Sequence, residues 1–295
     1  MKMSTGSVDP RKKVTITDIQ AKKEKKRPIT MLTAYDYPTG VLVDRAGTDI
    51  ILVGDSLAMV VLGYDNTVSV TMDEMLHHCR AVARGAKAPL LIGDMPFMSY
   101  QVSIPQAIEN AGRFLKEGNM DVVKLEGGKE RAEVVRAIVY AGIPVQGHIG
   151  LTPQTISKLG GFRVQGKSVQ AGLRLLDDAL ALEEAGCFSI VVEGIPDRLA
   201  TLITERLRIP TVGIGAGKGC DGQVLVLHDM LGMFDRFTPK FVKKYADFFG
   251  NGSEALKKYM DEVVEGTFPG PEHVYTMTDE VYQSLVAAVE QREAK

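Results

Sequence analysis

The sequence predicts a closed (β/α)8 barrel. Eight short apolar runs rich in Val and Ile recur along the chain, and helix-patterned segments separate them. No long linker or composition break interrupts the roughly 200 residues these units occupy, a span that suits a barrel. A doubly wound open sheet is the alternative arrangement of the same alternation.

The runs are PITMLTAYD (28–36), DIILVGDS (49–56), PLLIGDM (89–95), DVVKLEG (121–127), PVQGHIG (144–150), SIVVEGI (189–195), PTVGIGA (210–216) and QVLVLHD (223–229). Most are near-continuous hydrophobic stretches, as parallel strands covered by helices require. Helix signals fall between them. Thr71-Met-Asp-Glu74 and Ser103-Ile-Pro-Gln106 have capping-box spacing, with Pro105 in the first turn where it is tolerated. Gly85, Gly118, Gly142 and Gly186 follow helical stretches, where a left-handed closing residue is wanted. Met72, Met75, Leu76, Cys79 and Val82 share one helical face and read as core filling.

Before the first run, ITDIQAKKEKK (16–26) reads as a helix able to plug the bottom of the barrel. Its lysine cluster, KKEKKR (22–27), reads as a solvated face. After the eighth run come a helical tail over about 239–265, the stretch FPGPEHVY and an amphipathic helix over 278–292. The expected organisation is a single domain over 1–295. It has a flexible tail over 1–12, the barrel over 28–232 and a C-terminal helical extension over 233–295.

Composition excludes several classes. Net charge is −2 with acids and bases mixed, so nucleic acid is not an expected partner. The cysteines, Cys79, Cys187 and Cys220, have no CxxC spacing, which argues against disulfides and structural zinc and for a reducing compartment. No apolar run is long enough to span a bilayer, and the polar start lacks the apolar core of a signal peptide. A soluble, cytoplasmic protein without membrane partners is the expectation.

Polar residues collect at the carboxyl ends of the runs, where a barrel places its chemistry. In order they are Tyr35 and Asp36, Asp55-Ser56, Asp94, Lys124 and Glu126, His148, Glu193, the glycine-rich GIGAGKG (213–219) and His228-Asp229. Taken singly, each could be a loop cap or a surface ion pair. Asp55 and Asp94 both end a buried run in Gly-Asp, where an unpaired charge would be costly. The glycine before each leaves backbone room near a ligand. With Glu126 on the next run they form an all-oxygen set that suits a hard divalent cation of magnesium type. Lys124 lies two residues before Glu126, on the same strand face. It reads either as a Schiff-base nucleophile or, among acids, as a charged anchor for an anionic substrate. Glu193 follows four residues of a buried run, surroundings that move a carboxylate toward general-base strength. His148 could be a ligand, a base or a hydrogen-bonding residue. The glycines at 213–219 could cradle a phosphate or make a tight turn.

The stretches TAYDYPTG (33–40), VGDSLAMVVLGYDNT (53–67), GDMPFMSY (93–100), VKLEGG (123–128), GHIGLTPQ (147–154), GGFRVQGK (160–167), VVEGIP (191–196) and GIGAGKGCDGQVLVLHDMLG (213–232) resemble the ketopantoate (3-methyl-2-oxobutanoate) hydroxymethyltransferase family. The resemblance runs from about residue 12 to residue 268. It implies a (β/α)8 TIM barrel of the phosphoenolpyruvate/pyruvate type. The implied reaction transfers a hydroxymethyl group from 5,10-methylenetetrahydrofolate to 3-methyl-2-oxobutanoate (2-oxoisovalerate), giving 2-dehydropantoate for coenzyme A, through a magnesium-stabilised enolate. By motif position, Asp55 and Asp94 match the family's ligands for one Mg²⁺ per subunit, and Glu126 its further acidic metal-site residue. Asp55, Ser56, Asp94 and Lys124 match the keto-acid-binding set, and Glu193 the proton acceptor; His148 is a possible accessory. The resemblance also implies a homodecamer. The runner-up is a magnesium-dependent 2-oxo acid lyase or phosphoenolpyruvate mutase-like enzyme of the same barrel group, which needs no folate. A non-catalytic barrel would be expected to lack the rim acids and the base, and all are present here.

Overall fold

β-Branched side chains suit the crowded, pleated surface of a sheet, and the Val- and Ile-rich runs all become strands. The computed structural model describes residues 11–161 and 163–294. Its eight parallel strands close into a barrel in chain order. They are β1 Ile29–Thr33, β2 Ile50–Val53, β3 Leu90–Asp94, β4 Val122–Glu126, β5 Val145–Gly150, β6 Ser189–Glu193, β7 Thr211–Ile214 and β8 Gly222–Leu225. Pairing of β8 with β1, from Ile29↔Gly222 to Leu32↔Leu225, completes the ring and rules out the open sheet.

The helices are α1 Ile16–Glu24, α2 Tyr37–Arg45, α3 Leu57–Val60, α4 Met72–Gly85, α5 Ile104–Lys116, α6 Ala132–Tyr140, α7 Ile156–Leu159, α8 Val169–Ala185, α9 Asp197–Arg206, α10 Leu227–Met230, α11 Phe248–Glu265 and α12 Asp279–Glu293. Thr71 and Glu74 form the reciprocal capping box at the start of α4, and Ser103 caps α5 through the Gln106 N–H. Met75, Leu76, Cys79 and Val82 are buried and Met72 is half-buried, as their spacing predicts. Of the four closing glycines, Gly142 and Gly186 take left-handed φ values of 86° and 102°. At Gly85 the glycine instead lets α4 pass close to α2, where a Cβ would overlap the Tyr37 carbonyl oxygen.

Alternation along the strands sorts two cores. Outward residues such as Val123, Leu125 and Val192 pack beneath the helices. Inward residues such as Ile29, Ile50, Ile92, Val122 and Val212 fill the barrel, and Ile19 of α1 joins them as the expected plug. The lysines of α1 are not simply solvated. Lys22 reaches Asp49 at 2.6 Å and Lys23 reaches Asp221 at 2.8 Å, while Lys13, just ahead of the helix, reaches Asp121 at 2.6 Å. Each aspartate precedes a strand and also accepts a backbone N–H near the start of the strand before it: Thr30, Thr211 and Leu91 respectively. Arg11, expected in a flexible tail, pairs with Asp44 at 2.6 Å; the rest of that tail, apart from Lys12, lies outside the described residues.

The chain divides into two compact units between Ala246 and Asp247, inside the extension expected over 233–295. The second unit holds α11 and α12. α11 starts at Phe248 rather than near 239 because Asp247 caps it, accepting the Gly250 N–H at 3.1 Å. Among the described residues no helix is long and apolar enough to cross a membrane.

Because Ile19 closes the floor of the barrel, Ile19→Ala should destabilise the protein by about 2–5 kcal/mol. A fall in the urea midpoint checks this; an unchanged midpoint would show that the plug contributes little.

Candidate active site

Parallel register decides which side chains meet. β3 and β4 pair with Asp94 level with Lys124, β4 and β5 with Glu126 level with His148, and β5 and β6 with Gly150 level with Glu193. Asp55 and Ser56 follow β2, where the chain turns into α3. Asp55, Ser56, Asp94, Lys124, Glu126, His148 and Glu193 therefore line one cavity of about 70 Å³ at the barrel mouth. The structure brings all seven expected site residues together.

The cavity is crowded with charge. Lys124 Nζ lies 2.8 Å from Asp94 Oδ1, and the Asp55 N–H donates to Asp94 Oδ2 at 3.1 Å. His148 stands between two carboxylates, with Nδ1 3.4 Å from Glu126 Oε1 and Nε2 3.2 Å from Glu193 Oε2. Burial and the neighbouring acids push the Asp55 carboxyl well above its ordinary value. Burial also raises Asp94, although Lys124 opposes it. For Lys124, burial acts downward but Asp94, Glu126 and Asp55 outweigh it, so the ammonium form is held. That favours the charged anchor over the Schiff-base nucleophile, which must shed its proton. Burial and Lys124 lower His148, yet hydrogen bonds to Glu126 and Glu193 carry it to about 9, so it is a cation at neutral pH.

Two residues outside the expected set tie this cluster together. Gln154 donates through Nε2 to Asp55 Oδ2 at 3.0 Å and to the Met95 carbonyl at 2.9 Å, and through its N–H to Glu126 Oε2 at 3.0 Å. Tyr100 donates to Gln154 Oε1 at 2.6 Å and accepts the Glu126 N–H at 3.1 Å. Both lie in quoted motif stretches, but a lone Gln or Tyr in a βα loop has no spacing that marks it.

The oxygens at the mouth suit a hydrated divalent cation better than a fully protein-ligated one. Among the described residues no three His, Cys, Asp or Glu side chains are grouped so as to hold a metal by themselves. Magnesium does not need them, because it retains several waters beside one or two carboxylates. Asp94 Oδ1 and Glu126 Oε1 are buried, and each faces a cation, Lys124 at 2.8 Å and His148 at 3.4 Å, without the alignment of a full hydrogen bond. Burial raises Asp55 and Asp94, and neighbouring acids add to it, against the opposing pull of Lys124. The residues present fit a hydrated, hard cation.

Other rim residues have different roles. Asp36 caps α2, accepting the Thr39 N–H at 2.8 Å. His228 and Asp229 lie on α10 rather than on β8, and the His228 ring packs on Tyr35 with centroids 5.2 Å apart. The room beside Gly93 is taken by Phe114 of α5, so that glycine serves helix packing; Gly54 does line the cavity. Side chains also fill the space at GIGAGKG: a Cβ at Gly215 would meet Phe241 at 2.7 Å, and one at Gly217 would meet Asp197 at 2.5 Å. This loop is a tightly packed turn whose Gly215 and Gly217 also line the large cleft.

A larger cleft of about 840 Å³ adjoins the mouth cavity and shares Glu193, Ile214 and Val226 with it. Its walls are mostly apolar, including Val60, Leu151, Ile195, Phe234, Phe237 and Phe241, with Arg163, Asp197, Asp229 and Lys240 among them. A third cavity, about 730 Å³ beside β1 and β8, contains none of the seven site residues.

A family model described as ketopantoate hydroxymethyltransferase matches residues 13–271. The chain belongs to the ketopantoate hydroxymethyltransferase family. A 3-methyl-2-oxobutanoate hydroxymethyltransferase of Syntrophobacter fumaroxidans is 61% identical over 267 residues, covering 90% of this chain and 94% of that relative. One from Moorella thermoacetica is 59% identical, covering 90% and 98%. Among solved structures, phosphonopyruvate hydrolase superposes with a TM-score of 0.60 at 13% identity, covering 96% of this chain and 100% of the other. A 2,3-dimethylmalate lyase of the PEP mutase/isocitrate lyase superfamily gives 0.56 at 14%, covering 95% and 96%. Those two likenesses establish the barrel type for this ketopantoate hydroxymethyltransferase family member, and the fold alone.

The strand-end backbone that carries Glu193 depends on Gly150, which has φ +99° and no room for a Cβ against the Glu193 carbonyl oxygen. Gly142 has φ +86° with nothing within 4 Å. Gly150→Ala should therefore cost about 1–3 kcal/mol more than Gly142→Ala in unfolding titrations. Equal losses would refute the close approach.

Proposed function

We propose that this protein transfers a hydroxymethyl group from 5,10-methylenetetrahydrofolate to 3-methyl-2-oxobutanoate, giving 2-dehydropantoate. The observation that carries the reading is the position of Glu193, on the wall shared by a small polar cavity and a large apolar cleft. A compact keto acid suits the first and a folate the second, with the base between them.

Lys124 and Ser56 hold the keto acid, the ammonium supplying positive charge for its carboxylate. Ser56 is itself oriented by the Tyr35 hydroxyl at 2.8 Å. Asp55 and Asp94, with Glu126 beside them, are the residues that would hold one Mg²⁺. When bound, the ion supplies Lewis-acid polarisation of the 2-oxo group. Glu193 removes the C3 proton, and His148, 3.2 Å from its carboxylate, fixes the direction in which that oxygen points. The one-carbon unit gains bonds to C3 and to a water oxygen and loses both bonds to the folate nitrogens. The protons released by C3 and water end on those nitrogens. Apolar walls such as Phe234 and Phe241 limit competing water at the one-carbon unit.

Two further readings accompany this one. The unpaired thiols Cys79, Cys187 and Cys220 support a cytoplasmic location, testable by cell fractionation. Large apolar side chains exposed along α11, among them Leu256, Tyr259, Met260 and Val263, support self-association into a homodecamer. Light scattering should give a mass near ten chains; a monomer mass would remove that reading.

In deuterium oxide, the protein should exchange the C3 hydrogen of 3-methyl-2-oxobutanoate only with magnesium present, and stop when the metal is chelated. Glu193→Gln should lower that exchange by about 10²-fold or more while still binding the keto acid. Undiminished exchange in the variant would remove Glu193 as the base. Consumption of the keto acid without folate would favour the lyase or mutase reading.

A further inference from the structure

The large cleft contains a carboxylate that the chemistry above does not use. Three acids line it: Glu193 faces His148, Asp197 is exposed at the start of α9, and Asp229 is only 8% exposed. Among the described residues, Asp229 accepts no side-chain hydrogen bond and has no ion-pair partner. Burial pushes its carboxyl up to about 6, with only the Lys244 charge acting the other way. Buried carboxylates in folded proteins normally have donors. Asp229 is also rigidly mounted. It sits on α10, whose first N–H, that of Leu227, donates to Thr33 Oγ1 at 2.9 Å and whose Met230 carbonyl accepts the Tyr245 N–H at 2.7 Å.

We propose that Asp229 reads the donor edge of the folate's pterin ring, accepting hydrogen bonds from N3–H and the 2-amino group. This rests on the two-substrate reading above. A 2-amino-4-oxopyrimidine presents two adjacent N–H groups, a geometry that matches the two oxygens of one carboxylate. Val226, Phe234 and Phe241 offer flat apolar surface for the ring. Arg163 and Lys240 are exposed at the same cleft, where they suit the carboxylates of the glutamyl tail. Gripping the amino edge leaves the opposite end of the pterin, which carries the one-carbon unit, free to face Glu193. Asp229 is thus a specificity residue for the co-substrate and takes no part in proton transfer.

The test uses 5,8-dideazafolate, its 2-desamino-2-methyl analogue and p-aminobenzoylglutamate as binding probes on the full chain. Wild-type protein should bind the desamino analogue at least about tenfold more weakly than 5,8-dideazafolate, the factor expected for a lost charge-assisted hydrogen bond. Asp229→Asn should weaken 5,8-dideazafolate by a similar factor and raise KM for methylenetetrahydrofolate. Its affinity for p-aminobenzoylglutamate, which has no pterin, and for 3-methyl-2-oxobutanoate should stay as in wild type. Equal binding of the two dideazafolates by wild-type protein overturns the proposal, as does a folded Asp229→Asn with undiminished affinity. Should Asp229→Asn not fold, the wild-type comparison of analogues decides alone. Failure of the function itself would look different: wild-type protein would form no 2-dehydropantoate from the two substrates.

Discussion

An excess of buried negative charge at the barrel mouth is the constraint around which the site is built. Asp55, Asp94, Glu126 and Glu193 share the cavity with two cations, Lys124 and the protonated His148. Carboxylates out of water need compensation, and the raised Asp55 and Asp94 show that the protein's own groups do not supply it in full. By formal count, four carboxylates against two cations leave two negative charges, the charge that one divalent cation would balance. Lys124 cannot be spared from this arrangement to serve as a neutral amine, because each neighbouring acid strengthens its hold on its proton. The same crowding favours the cationic form of His148 between Glu126 and Glu193, so Glu193, the proposed base, has a cation on one side while it also lines the cleft.

The strand ends of the barrel were legible because period and polarity change together there. In VVKLE the inward positions run from Val122 to Lys124 to Glu126, and nothing but a mouth explains charges continuing the inward face of a core strand. Local signals were less decisive where another element decides the outcome. Gly93 looks like ligand clearance in sequence, yet its missing side chain admits Phe114, a residue some twenty positions away that only the tertiary fold brings in. Asp36 has the look of a rim acid but is a helix cap, accepting both the Thr39 N–H and the Thr39 hydroxyl. Gln154 escaped notice for the opposite reason. An amide has no charge pattern to betray it, and its four contacts come from three separate βα units. Within KKEKKR, residues 24–27 are exposed as a solvated face should be, while Lys22 and Lys23 turn to aspartates that lie far along the chain and leave no local signal.

The two faces of the barrel place the same chemistry under opposite conditions. On the lower face, Asp49, Asp121 and Asp221 each receive one lysine and a backbone N–H. They lie in surface-accessible surroundings, where such pairs contribute little individually and chiefly fix the plug in register. On the upper face, Asp55, Asp94 and Glu126 share one lysine in a buried cavity, and two of their oxygens lack a formed hydrogen bond. Aspartate at a strand end is therefore not itself a sign of function; what distinguishes the mouth is that three carboxylates crowd around one lysine out of water. Asp229 lies in the neighbouring cleft, 8% exposed and with no side-chain hydrogen bond among the described residues. A fold that satisfies its acids so completely at one end, and so incompletely at the other, leaves the unsatisfied ones for ligands to complete.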